Sequence, residues 1–156
     1  MNEEENNCII WIASFDIGKR NYSVYVEEVN LLHLEQLRIE HHLDKKVFKE
    51  MYQVDGTPNE ELQGILKKVY LNGKTILHIN VDLSTGDNDI KKKKRDNESI
   101  YNLTSLLDCY KHIWDYTSIF LIEQQMAFRG KINMSALKLA QHTFSYLAIR
   151  YGRFKE

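Results

Sequence analysis

The chain has 156 residues, 43% of them hydrophobic, with a formal net charge of −1. That suits one domain with its own core and supplies no overall basic field to recruit nucleic acid, so any such surface must be a local patch. Cys8 and Cys109 form neither a metal spacing nor a disulfide framework, no apolar run nears the roughly 20 residues that span a bilayer, and the acidic start MNEEENN is no signal peptide; the expectation is a soluble, intracellular protein.

Residues 1–7 read as a disordered start. CIIWIASF (8–15) is a continuous apolar run of strand length, predicted to be buried on both faces. It ends at Asp16, and Gly18 follows in the turn. YSVYVEEV (22–29) alternates, with Tyr22, Val24 and Val26 on one side and Tyr25 on the other. LLHLEQLRIEH (31–41) fits period two better than a helical period and is predicted to be the third strand of an antiparallel meander. Residues 43–72 form an insertion, irregular and then helical, with Thr57 as N-cap and Pro58 in the first turn.

GKTILHINVDL (73–83) returns to strand, and 84–98 is a charged loop without periodicity. SIYNLTSLLDCYKHIW (99–114) has Ile100, Leu103, Leu106, Leu107, Tyr110 and Trp114 at helical spacing. TSIFLIEQQ (117–125) is a second buried strand and also ends in an acid, Glu123. NMSALKLAQHTFSYLAIRY (133–151) is a helix with Ala136, Leu139, Ala140, Phe144, Leu147 and Ala148 toward the core. A helical crossover lets the strand at 117–123 run parallel to the first, giving a mixed α/β sheet whose first three strands are antiparallel.

Two apolar strands thus each end in a carboxylate. Side by side and parallel, they would deliver Asp16 and Glu123 to one sheet edge, about 4–8 Å apart. Two such carboxylates repel unless a cation neutralises them, and hard oxygen ligands select Mg²⁺ or Mn²⁺. Phosphodiester hydrolysis uses such a cluster to activate water and stabilise the leaving oxygen. Gly18 would permit close approach of backbone or phosphate at the turn. Taken singly, either acid is better explained as a solvated strand end or helix cap; the pair at matching strand ends reverses that preference.

SFDIGKRNYSVYV resembles the first motif of the RuvC-type Holliday-junction resolvases, in which an apolar strand delivers a metal-binding aspartate before a glycine turn. FLIEQQM followed by SALKLAQ (135–141) resembles their second motif and the helix after it. The long insertion and YNLTSLLDCYKHIWDYTSIFLIEQQ look closer to the resolvases of large cytoplasmic DNA viruses, of poxvirus and iridovirus type, than to the bacterial enzymes. The resemblance covers about 9–40 and most of 75–150, and adds nothing over 43–72. It implies an RNase H-like fold, Asp16 and Glu123 as metal ligands and catalytic acids, Mg²⁺ or Mn²⁺ as cofactor, and branched DNA as substrate. It also implies a homodimer acting in the host cytoplasm, with the 133–151 helix a candidate interface element.

That family carries a third motif, a pair of acids on a final helix after one more strand. This chain stops at Glu156 without either element. The expectation is therefore a truncated chain, inactive or poorly active, with Asp82 at the end of ILHINVD as the other candidate for a third catalytic acid. DNA contacts are expected from Lys19 and Arg20 after the first acid, from Lys91, Lys92, Lys93, Lys94 and Arg95, and from Phe128, Arg129 and Lys131 in MAFRGK, the phenylalanine as a wedge or stacking ring. The alternatives are a catalytically inactive structure-specific DNA-binding module, which the missing motif favours, and an RNA–DNA hybrid nuclease on the same fold. His41, His42 and Asp44 lack a further ligand for zinc, His142 reads as an exposed or boundary residue, and NGKT (72–75) is turn chemistry. NLT (102–104) is a sequon inside a predicted helix.

Overall fold

Alternation governs β1 (Ile9–Asp16) and β2 (Tyr22–Asn30) in a computed structural model that describes residues 8–84, 95–124 and 133–152. Ala13 and Phe15 of β1 are buried, and so are Tyr22, Val24 and Val26 of β2, while Tyr25 faces the other way. The expected double burial of 8–15 does not hold: Ile9 is 40% exposed, and only alternate residues enter the core.

The segment 31–41 is not a third strand. It forms helix α1 (Leu31–Glu40). The Asn30 side chain accepts the His33 backbone N–H at 3.2 Å and so caps the helix, and Glu35 pairs with Arg38 one turn on. Its period-two apolar positions have no sheet to bury them, and Leu37 alone is buried. Then follow α2 (Lys45–Glu50), α3 (Glu60–Asn72) and β3 (Lys74–Val81). The cap of α3 is Asn59, which accepts from the Leu62 N–H, whereas Thr57 bonds Asp55. Asp44 caps α2 by accepting from the Lys46 and Val47 N–H groups.

The C-terminal half holds α4 (Arg95–Cys109), α5 (Lys111–Trp114), β4 (Thr117–Ile122) and α6 (Met134–Tyr151). Residues 95–98, expected in the charged loop, form the first turn of α4. Residues 1–7 and 85–94 lie outside the described residues.

The chain divides into two compact units, one comprising 11–26 and 76 onward, the other 27–75 with the start of β1. In the latter, Met51, Leu62 and Ile65 form a small core. The former contains the main core, in which the buried faces of β1 and β2 pack with Leu103, Leu107, Trp114, Ala136, Leu139 and Leu147.

The sheet order is β3-β2-β1-β4. Only five residues join β1 to β2, too few for a parallel crossover, so the pair is antiparallel. Tyr25 meets His78, and Glu28 meets Lys74; the opposite progression makes β2 and β3 antiparallel too. β1 and β4 are parallel. The sheet is therefore mixed, as expected, with β3 in the place predicted for residues 31–41. β4 is an edge strand, and Ile119 and Leu121 on one of its faces are 41% and 54% exposed, so it too is buried on one face only. On α6 the core face is turned by one residue. Thr143 is buried and bonded to the Tyr22 hydroxyl at 2.9 Å, while Phe144 is exposed.

Candidate metal centre

The parallel pairing of β1 with β4 runs in register from Ile12 opposite Ile119 to Phe15 opposite Ile122. It carries on past the strand ends: the Glu123 N–H donates to the Phe15 carbonyl at 3.0 Å, and the Ile17 N–H donates to Glu123 Oε2 at 3.2 Å. The two acids that terminate the apolar runs are thereby neighbours at one edge of the sheet. Desolvation first, and then a hydrogen bond to Glu123 and its charge, push the Asp16 carboxyl above the usual aspartate range. A hydrogen bond between two carboxyl groups needs a proton between them, and a bound cation removes that need. Two oxygen-donor side chains on adjacent strand ends fit a hard divalent ion that keeps several waters in its shell.

The turn after Asp16 depends on Gly18. A Cβ there would lie 2.8 Å from the Asn21 carbonyl oxygen, closer than a side chain can approach backbone. The backbone half of the expected role is thus met: the chain folds tightly on itself. Gly18→Ala is expected to destabilise by about 1–3 kcal/mol through this overpacking, seen as a lower urea midpoint. At an unstrained position the same change would stabilise slightly.

On the sheet face opposite the core side chains, Ser14, Asp16, Ser23, Tyr25, His78 and Glu123 line an open hollow of about 280 Å³. Strand alternation puts them together, since Ser14 and Asp16 flank buried Phe15, and Ser23 and Tyr25 flank buried Val24. Ser14 and Ser23 lie within SFDIGKRNYSVYV without a role of their own there, and His78 lies in no motif, so only the pairing of β3 with β2 could have found it. The rings of Tyr25 and His78 meet edge to face, 5.8 Å between centroids.

Asp82 does not complete the acid pair. Its carboxylate accepts from the Ser84 N–H at 2.7 Å and from the Ser84 hydroxyl. These bonds, with smaller help from Arg20 and Lys19, hold it below the usual aspartate range. Among the described residues no three His, Cys, Asp or Glu side chains converge as a ligand set. The Lys19 carbonyl accepts from the Leu83 N–H, and its side chain lines a small hollow with Lys138 and Ser135. Arg95 opens α4. Lys91, Lys92, Lys93, Lys94, Phe128, Arg129 and Lys131 lie outside the described residues.

His142 is a boundary residue as expected, its Nε2 lying 2.8 Å from the Thr104 hydroxyl, and burial lowers its pKa. Asn102 of the sequon is helical, and its side-chain amide donates to the Leu83 carbonyl. No described helix is long and apolar enough to cross a membrane.

Two iridovirus proteins are similar to this chain. Uncharacterized protein 97L of Invertebrate iridescent virus 3 is 29% identical over 149 residues, covering 90% of this chain and 65% of that protein. Uncharacterized protein 170L of Invertebrate iridescent virus 6 is 29% identical over 155 residues, covering 99% of this chain and 56% of that protein. The chain thus spans less than two thirds of either relative. No family model matches it, and no solved structure does.

Proposed function

We propose that the protein is a metal-dependent endonuclease of RNase H-like fold that hydrolyses phosphodiesters of four-way DNA junctions inside the infected host cell. The observation that carries this reading is the meeting of Asp16 and Glu123 at the carboxyl ends of parallel β1 and β4, with the Asp16 pKa raised by desolvation first and by Glu123 second. A divalent cation bound there, Mg²⁺ or Mn²⁺, would supply Lewis-acid activation of the attacking water and of the phosphodiester oxygen. Asp16 and Glu123 would hold it, and the Ile17 N–H keeps the Glu123 carboxylate turned toward the turn after β1.

Two protein carboxylates leave room for substrate phosphates in the shell, which is how Mg²⁺ is commonly held. Affinity for the ion alone is then weak, and this chain cuts slowly. Lys19 and Arg20, in the turn directly after Asp16, would contact phosphates of the DNA arms. Symmetric cuts need two sites, so the reading includes a homodimer. Exposed Phe144 and Ile149 on α6 offer apolar contact for it. The lack of a third ligand among the described residues favours a second reading, an inactive module that binds branched DNA.

The test is cleavage of an end-labelled four-way junction and of a linear duplex of the same sequence, with excess protein and millimolar Mn²⁺. Slow, metal-dependent cuts near the branch point, absent from the duplex, are expected. Tight junction binding with no cuts would favour the second reading, and equal affinity for both DNAs would remove the junction assignment.

A further inference from the structure

We propose that the Tyr25–His78 ring pair receives an unpaired nucleobase of the substrate whose phosphate lies at the Asp16–Glu123 end of the same hollow. This rests on the nuclease reading and names a contact within it. His78 is on β3, two strands from β1. His78 does not join Asp16 and Glu123 in a three-residue ligand set, since none forms among the described residues.

What the ring pair can do is different. Tyr25 is 36% exposed, His78 is exposed, and both line the hollow that holds the acids. The rings meet edge to face at 79° rather than stacked on each other. Aromatic side chains beside a backbone-binding groove hold splayed bases by stacking, whatever the base. Ser14 and Ser23 line the same hollow as the rings and the carboxylates and would offer hydroxyls to a sugar. A hollow of about 280 Å³ is at the small end of ligand pockets, which run from about 300 Å³ upward. A base stacked within a duplex presents no free face to a ring, so the base taken here must be out of the helix.

The experiment uses the full chain and a four-way junction carrying 2-aminopurine at the branch point, whose fluorescence reports stacking. The parent should change that fluorescence on binding. Tyr25→Leu should lose the change and weaken junction affinity about tenfold, with the salt dependence unaltered because no phosphate contact is touched. Tyr25→Phe should behave as the parent, and His78→Ala should fall between, a check that does not depend on how the leucine variant folds. If Tyr25→Phe loses as much as Tyr25→Leu, the hydroxyl matters and not the ring, and stacking is overturned. If the parent binds and cuts the junction while both Tyr25→Leu and His78→Ala leave fluorescence and affinity unchanged, the ring pair has no such role and the metal reading stands. A parent that neither binds nor cuts branched DNA overturns both.

Discussion

Asp16→Asn and Glu123→Gln are each expected to lower Mn²⁺-dependent junction cleavage by about 10²-fold or more while changing junction affinity less than about threefold. Lewis-acid stabilisation contributes several kcal/mol to the transition state, and each 1.36 kcal/mol is tenfold in rate. Affinity comes mainly from Lys and Arg contacts to phosphates, which neither change touches. Single-turnover cleavage and equilibrium binding on the same junction separate the two quantities.

Asp16→Asn should also act on stability. The folded-state pKa of Asp16 is raised, so its contribution to stability is fully present below the ordinary aspartate value of about 3.9. It is lost as pH rises through the raised folded value. At neutral pH the metal-free parent carries that loss, and the asparagine variant should melt at a higher temperature. Below about pH 3 the two should converge. The order should reverse at neutral pH once enough Mn²⁺ is present to bind the parent.

Trp114→Ala is expected to cost about 3–5 kcal/mol, the range for removing a large aromatic from a core. Trp114 is 1% exposed, its Nε1–H donates to the Leu107 carbonyl at 2.8 Å, and its ring lies 5.6 Å from that of Phe15. The change leaves a cavity and a lost hydrogen-bond donor under the strand residue that precedes Asp16. For a chain of this length the melting temperature should fall by roughly 6–20 °C. Trp114→Phe keeps most of the volume, so its loss should be clearly smaller in urea or thermal unfolding.

Asp16 and Glu123 were legible in the sequence because each signal is local: an apolar run of strand length closed by an acid. Their parallel pairing followed from the helix between them, since such a crossover admits it. Residues 31–40 were not legible. Leu31, His33, Glu35, Leu37 and Ile39 alternate, yet a single side-chain cap from Asn30 and the Glu35–Arg38 pair accompany a helix. An ambiguous short apolar pattern is decided by what it packs against.

Periodicity also gave no way to tell β4 as an edge strand, because an apolar run reads alike whether one face or two are covered. On α6, Phe144 outranked Thr143 as a core residue by hydropathy. The buried hydroxyl is satisfied by Tyr22, 121 positions away, a partner that no window along the chain includes. The hollow beside the acids was hidden for the same reason: Tyr25 and His78 meet only after β3 takes the place expected for residues 31–41.

The central claim is that Asp16 and Glu123 together hold a divalent cation, and paramagnetic Mn²⁺ titration followed by NMR measures this directly. At substoichiometric Mn²⁺, the backbone amide signals of Asp16, Ile17 and Glu123 should broaden first, with saturation on the order of millimolar metal. Asp16→Asn should lose that broadening. Broadening centred elsewhere, for instance at Asp82 or Asp44, or left unchanged by Asp16→Asn, would contradict the assignment.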